Sequence, residues 1–138
     1  MIDQFVDLLR RQREAAGLLE ARLRALELIV AAEEQRFLGI ALDEVESASE
    51  SLAGLELARS LVLSTAGLSA DATARDLLAR FGPASERPGS HELPEAIAEL
   101  REGAERLSET QHRAMAIVRE ASADSRRRID AAQAFSAV

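Results

Sequence analysis

"IDQFVDLLRRQREAAGLLEARLRALELIV", residues 2–30, carries a regular stripe of apolar side chains. The steps alternate between three and four residues, which is the spacing of a helix packed in a bundle or coiled coil. The stripe consists of Ile2, Phe5, Leu9, Gln12, Ala16, Leu19, Leu23, Leu26 and Val30. Gln12 is its one polar member. The spacing predicts a first long helix from residue 3 to about residue 36.

The end of this helix is less clearly marked. Glu33 interrupts the stripe, and Phe37 and Ile40 resume it. Gly39 indicates either a turn or a soft spot within a helix, because no proline or turn cluster lies near it. A second helical region is expected over about 42–65. Residues 1–65 therefore form either a helical hairpin or one very long helix.

The composition favours an all-α fold throughout. The chain has 138 residues, with 27 Ala and 20 Leu against 12 Val plus Ile, and it lacks Tyr, Trp, Asn, Cys and Lys. Alanine, leucine, glutamate and arginine are strong helix formers, whereas the β-branched and aromatic residues that favour strands are scarce. We expect one domain over residues 1–138, an elongated antiparallel bundle of three long helices and one short helix.

A short helix and a loop are predicted in the middle of the chain. Gly67 is a good helix stop, since glycine takes the left-handed conformation without strain. Residues 69–83 then predict a short helix with Asp71 as its cap, and its apolar face consists of Ala74, Leu77, Leu78 and Phe81. Residues 82–94 hold all three prolines and predict an internal loop. Pro94 suits the first turn of the helix that follows.

The last long helix begins near residue 94. Its predicted stripe consists of Leu93, Ile97, Leu100, Ala104, Leu107, Gln111, Ala114, Val118 and Ala121. Beyond Val118 the large apolar side chains become rare. Residues 119–138 are therefore predicted to be a weakly packed, marginal helical tail that becomes ordered on a partner.

Charge and composition exclude several function classes. The net charge of −7 argues against nucleic-acid binding, which needs a basic face, and the cluster Arg126–Arg128 has aspartates on both sides. Without cysteine the chain has no disulfide and no thiolate ligand. No apolar stretch is long enough to insert in a membrane. Because no signal peptide is visible, we expect a cytoplasmic protein.

One motif with metal-binding potential is present. Glu109 and His112 form a Glu-x-x-His pair, which di-iron bundles use twice together with further glutamates. Here the motif occurs once, and the other histidine, His91, lies in the predicted loop. No set of nucleophile, base and metal ligands converges in the sequence. We expect no enzyme activity, no catalytic residue, no metal and no cofactor.

Residues 52–68, "LAGLELARSLVLSTAGL", resemble the central pattern of the FlgN-type flagellar export chaperones. That pattern is a Leu-Glu-x-x-Arg run followed by leucines, here Leu55, Glu56 and Arg59. Arg59 falls where the stripe calls for an apolar residue, and its stem is expected to be buried with its head in water. Gln111 and His112 fit a second part of the family pattern. Chain length and the order of helices agree as well.

The resemblance implies a cytoplasmic chaperone of flagellar type III secretion. Such chaperones hold hook–filament junction proteins of the FlgK and FlgL type and pass them to the export apparatus. The client's C-terminal helix is expected to dock on the last long helix and its tail. The expected contacts are Met115, Val118, Ala121, Ile129 and Phe135. Two alternatives stay open, a structural coiled-coil scaffold that could form a homo-oligomer and a ferritin-like metal-binding bundle.

Overall fold

The computed structural model describes residues 2–81 and 92–136, which form four helices. They are α1 (Ile2–Ala31), α2 (Gln35–Thr65), α3 (Ala74–Phe81) and α4 (Glu92–Ser136). The described part of the chain contains no strand, and the prediction of an all-α bundle with three long helices and one short helix is confirmed. Most of the predicted loop, residues 82–91, lies outside the described residues. Pro94 lies in the first turn of α4, as expected.

A tight turn separates α1 from α2. The Glu33 N–H donates to the Val30 carbonyl at 3.1 Å, and the Glu34 N–H donates to the Ile29 carbonyl at 3.1 Å. Glu33 has a φ of 56°, the left-handed conformation that helix C-termini use and glycine prefers. Residues 1–65 are thus a hairpin. The expected boundaries near 36 and 42 were wrong, because Glu33 makes the turn. Gly39 lies inside α2, so of the two alternatives left open for it the turn is excluded.

The central helix of the bundle is α1, and both other long helices pack against it. It runs antiparallel to α2, with Arg22 Nη1 3.2 Å from Glu44 Oε2. It runs parallel to α4, since Arg10 pairs with Glu92 near their starts and Glu27 pairs with Arg113 further along. Every member of the predicted α1 stripe except Val30 is buried, and Val6 is buried as well. The apolar spacing therefore identified the packed face.

The helix α3 covers the core at one end of the bundle, where the chain passes from α2 to α3. Phe81 packs with Phe5, Leu63 and Leu93 in one apolar cluster. Arg80 Nε donates to the Ala66 carbonyl at 3.3 Å, which satisfies an acceptor just beyond α2. We call this the α3 end, and the opposite end, at residues 32–34, the turn end.

The cap of α3 differs from the prediction. The Thr73 N–H donates to Asp76 Oδ2 at 3.0 Å, and the Asp76 N–H donates to Thr73 Oγ1 at 3.2 Å. This reciprocal pair is a capping box, with aspartate in the usual place of glutamate. Asp71 is exposed and lies before the cap. The predicted cap was wrong because Thr73 is the residue that directly precedes the first helical turn.

The inward face of α4 is shifted by one residue in its middle part. Gly103 and Thr110 are buried, whereas the predicted Ala104 and Gln111 are exposed. A spacing of three or four residues allows either choice. Gly103 faces α1, and a Cβ atom there would lie 3.6 Å from Arg13 Cγ, an ordinary van der Waals contact, so an alanine would also fit at this position. The rotation of α4 about its own axis decides between the two positions, and the spacing of apolar residues does not fix that rotation.

The C-terminal part of α4 runs past the hairpin. α4 has 45 residues against 30 in α1, so at 1.5 Å per residue it is longer by about 22 Å. Residues 119–136, here called the C-terminal arm, are helical and mostly exposed. None of the helices in 2–81 and 92–136 has the length and apolar character needed to cross a membrane.

Candidate functional site

The three long helices part at the turn end and leave a groove of about 860 Å³. One wall is built from the end of α1 and the start of α2. The other wall is built from residues 118–133 of α4. The large apolar residues that line it are Leu26, Ile29, Val30, Leu38, Leu42, Val118 and Ile129. Charged residues line it as well, among them Glu33, Glu34, Asp124 and Arg126. The exposed apolar side chains between them form a surface that water covers poorly.

The hairpin wall follows from the position of the turn. α1 ends directly after Ile29 and Val30, so these side chains are only partly covered. Leu38 and Leu42 lie one turn apart on α2 and therefore share a face. Leu42 keeps 47% of its surface exposed. Packing within the bundle thus leaves part of the apolar surface at the turn end exposed to solvent.

The α4 wall combines two large residues with small ones between them. Val118, Ser122, Ser125 and Ile129 recur at steps of three and four and lie along one face. Ala121 also lines the groove. Small side chains leave room for a bulky side chain of another molecule, and Ile129 remains 56% exposed. The wall presents an apolar residue at each end and a shallow middle.

One ion pair links the arm to the hairpin across the groove. Arg128 Nη2 lies 3.0 Å from Asp124 Oδ2 on its own helix and 3.5 Å from Glu33 Oε1 at the turn. The Arg128 and Glu33 side chains are both about two-thirds exposed. Exposed pairs contribute at most about 1 kcal/mol. This ion pair therefore holds the two walls together only weakly.

The structure brings three of the five predicted contact residues to the groove. Val118, Ala121 and Ile129 line it. Met115 and Phe135 are 53% and 85% exposed, and neither lines the groove. Met115 and Val118 are not part of the buried core, since Val118 is also 37% exposed.

The family-pattern residues lie elsewhere. Leu55, Glu56 and Arg59 are in the second half of α2, and Gln111 and His112 are exposed on α4. None of them lines the groove. Arg59 is partly buried, as expected of its stem. Its Nε is also shielded from solvent and has no hydrogen-bond partner within 2–81 and 92–136.

Sequence reasoning missed the hairpin wall. The stretch "LIVAA", residues 28–32, contains apolar residues outside the α1 stripe. Leu38 and Leu42 are further apolar residues outside this stripe. These residues signal an additional apolar face. Because the spacing predicts that the first helix continues to residue 36, it does not predict a wall there. Only a turn at 32–34 places Ile29 and Leu42 on the same wall.

Metal-binding side chains do not cluster in the part of the chain that the structure describes. In 2–81 and 92–136 no group of three or more His, Asp or Glu side chains could hold a metal ion. The His112 Nδ1 lies 2.8 Å from the Ser108 carbonyl oxygen within its own helix. No protein-family model, curated protein or solved structure matches the chain. The relation to FlgN-type chaperones therefore stays a prediction.

Proposed function

We propose that this protein is a chaperone that binds an amphipathic helix of a client protein in the groove at the turn end. The observation that carries the proposal is the groove itself, which has apolar side chains on both walls and is open to solvent. A helix that lays its apolar face into such a groove is a common mode of peptide recognition.

The dimensions of the groove suit a short helical segment. Its hairpin wall, residues 26–42 folded at the turn, is about 10 Å long, and its α4 wall spans residues 118–133, which is about 22 Å at 1.5 Å per residue. A client helix of about four turns covers this length. Its large side chains would contact Leu42 and Ile129, whose exposed surface is then removed from water. Burial of apolar surface is the main favourable term in such binding.

The C-terminal arm adds a cost that limits affinity. The arm is mostly exposed, and the ion pair between Arg128 and Glu33 is exposed as well, so docking a client must also fix the position of the arm. Ordering a segment at the moment of binding reduces the net free energy. We therefore expect moderate affinity, together with a negative heat-capacity change from apolar burial.

We further propose that the client is a hook–filament junction protein of the bacterial flagellum. This step rests on the resemblance of residues 52–68 and on the order of the helices. Covering the client's C-terminal helix in the cytoplasm prevents its premature coiled-coil assembly. The chaperone then delivers the client to the export apparatus of the flagellar type III system.

Calorimetry tests the groove with a synthetic peptide of the C-terminal helix of a co-encoded junction protein. Leu42→Ala and Ile129→Ala, one from each wall, are expected to weaken binding about tenfold each, as for truncated apolar anchors. Leu57→Ala is the matched control, because Leu57 is 63% exposed and does not line the groove. Its affinity is expected to stay within twofold of the unmodified protein.

Each outcome has a distinct meaning. Unchanged affinity of both groove variants would contradict the groove as the binding site. No binding by the unmodified protein would contradict the junction-protein client. Phe135→Ala tests whether the site continues along the arm, since Phe135 lies beyond the groove lining and is 85% exposed. A loss of affinity similar to that of Ile129→Ala would extend the binding site to the end of α4.

A further inference from the structure

A second apolar surface lies on the side of α2 that faces away from α1. Ile40, Leu57 and Leu61 are 60%, 63% and 62% exposed. At 100° per residue these three positions fall on the half of α2 opposite its buried residues Ala41, Ala48 and Leu52. We call this surface the outer face of α2. It is separate from the groove, whose lining includes none of the three.

The outer face also carries a row of carboxylates. Asp43, Glu46 and Glu50 follow each other at steps of three and four and lie between Ile40 and Leu57. Within the described ranges none of the three is in an ion pair. The face therefore combines exposed aliphatic side chains with uncompensated negative charge.

The two arginines of α2 do not neutralise this row. Arg36, in the first turn, lies 3.4 Å from Glu34 and over the ring of Phe37. Arg59 is partly buried, with its Nε shielded from solvent. The carboxylates of the outer face are thus left without a cation from their own helix.

We propose that the outer face of α2 docks a basic amphipathic helix of a partner protein. Apolar side chains of that helix contact Leu57 and Leu61, and Arg or Lys on its following turns pair with Glu50, Glu46 and Asp43. Ile40 provides an apolar contact at the far end. From Ile40 to Leu61 the face is about 31 Å long, so the partner helix has about six turns.

Charge selects this occupant over the others. A second copy of the chain packed through the same face would bring no cation to these carboxylates, and in a parallel arrangement it would set carboxylates against carboxylates, which is repulsive. A nucleic acid would meet the same repulsion from its phosphates. A helix with cations at heptad spacing gains both the apolar contact and the ion pairs. Gly54 is open on its Cβ side and leaves room for a partner side chain there.

Fluorescence anisotropy with two labelled peptides tests the proposal on the full chain. Both have 21 residues and two adjacent turns of leucines. One continues with arginines at steps of three and four, and the other has glutamates at the same positions. The arginine peptide is expected to bind at least tenfold more tightly, with an affinity that falls as salt is raised. No binding of the arginine peptide, or equal binding of both, would overturn the proposal.

Variants separate a specific face from general attraction to an acidic protein. The triple variant Asp43→Asn/Glu46→Gln/Glu50→Gln is expected to bind the arginine peptide at least tenfold more weakly. The control is Glu95→Gln/Glu102→Gln/Glu105→Gln, which removes the same charge from exposed positions on α4. It is expected to change affinity less than twofold. An equal loss in both triple variants would overturn the proposal.

The apolar contact and the choice of partner have their own measurements. The double variant Leu57→Ser/Leu61→Ser keeps the charge of the face and is expected to bind the arginine peptide at least tenfold more weakly. Circular dichroism of the variant checks that its helices are intact. Unchanged binding would overturn the apolar contact. Sedimentation analysis is expected to show no dimer that depends on Leu57 and Leu61, and such a dimer would overturn the choice of occupant. Leu42→Ala, in the groove, is expected to leave this binding unchanged, which keeps the proposal distinct from the client site.

Discussion

Phe5 and Phe81 stack with their ring centroids 5.1 Å apart and their planes 20° from parallel. The pair joins the start of α1 to the end of α3, and both side chains are almost completely buried. Offset aromatic pairs at this distance add stability beyond their buried area. This contact closes the α3 end of the bundle, whereas the turn end has no such closing element among the described residues.

Phe81→Ala is therefore expected to lower the free energy of unfolding by about 3–5 kcal/mol, as for other buried Phe-to-Ala changes. Urea denaturation followed by circular dichroism measures the change. Phe135→Ala is the matched control, because the same atoms are removed from a side chain that is 85% exposed. It is expected to change stability by less than about 0.5 kcal/mol. Similar losses in both variants would show that the α3 end is not the better packed end.

Gln12→Met is expected to stabilise the protein by about 1 kcal/mol. Gln12 is 5% exposed, and its Oε1 is buried without a hydrogen-bond partner among the described residues. A buried, unsatisfied acceptor costs about 1–3 kcal/mol, and methionine has a similar shape without that acceptor. The midpoint of thermal unfolding measures the effect, with Gln111→Met at an exposed position as control. A fall in the midpoint for Gln12→Met would indicate that Oε1 is hydrogen-bonded in solution.

Glu33→Gly is expected to stabilise the hairpin by about 0.5–1 kcal/mol. The left-handed conformation of Glu33, with φ of 56°, costs a non-glycine residue about 1–2 kcal/mol. Glycine removes that strain at the price of a more flexible unfolded chain. The lost contact with Arg128 is exposed and contributes little.

Glu34→Gly is the control for this substitution. Glu34 has a φ of −84°, so glycine relieves no strain there. Chemical denaturation of both variants is expected to move their midpoints in opposite directions. Parallel shifts would contradict the strain assigned to Glu33.

The pH dependence of stability tests the cap of α3. The backbone N–H and then the side chain of Thr73 hydrogen-bond to Asp76 and lower the pKa of this carboxyl below its ordinary value of 3.8. The charged form therefore favours the folded state. Its contribution is fully present above the ordinary pKa and is lost as the pH falls through the lowered pKa.

Asp76→Asn isolates this contribution. The difference in unfolding free energy between the unmodified protein and this variant is expected to be constant near neutral pH and to shrink below about pH 4. Denaturation curves between pH 2.5 and pH 7 measure it. Asp71→Asn, the residue expected to be the cap from sequence, should show no such difference. A pH-dependent difference only for Asp71→Asn would restore the original assignment.

The sequence by itself determined which face of α1 is buried. Eight of the nine positions of the predicted stripe, from Ile2 to Leu26, are buried in the structure. This information is local, because the period of a helix fixes which side chains share a face whatever they pack against. The all-α class and the short helix near residues 74–81 follow from composition and spacing in the same way.

Tertiary structure decided the features that depend on where helices meet and end. Whether Gly103 or Ala104 faces α1 depends on how α4 is rotated about its own axis against its neighbour. Whether residues 29 and 42 lie on one wall depends on Glu33, which takes a conformation that its side chain does not favour. The groove arises only because α1 ends and α2 begins at this turn, whereas α4 continues. A local pattern along one helix contains no information about where another helix ends.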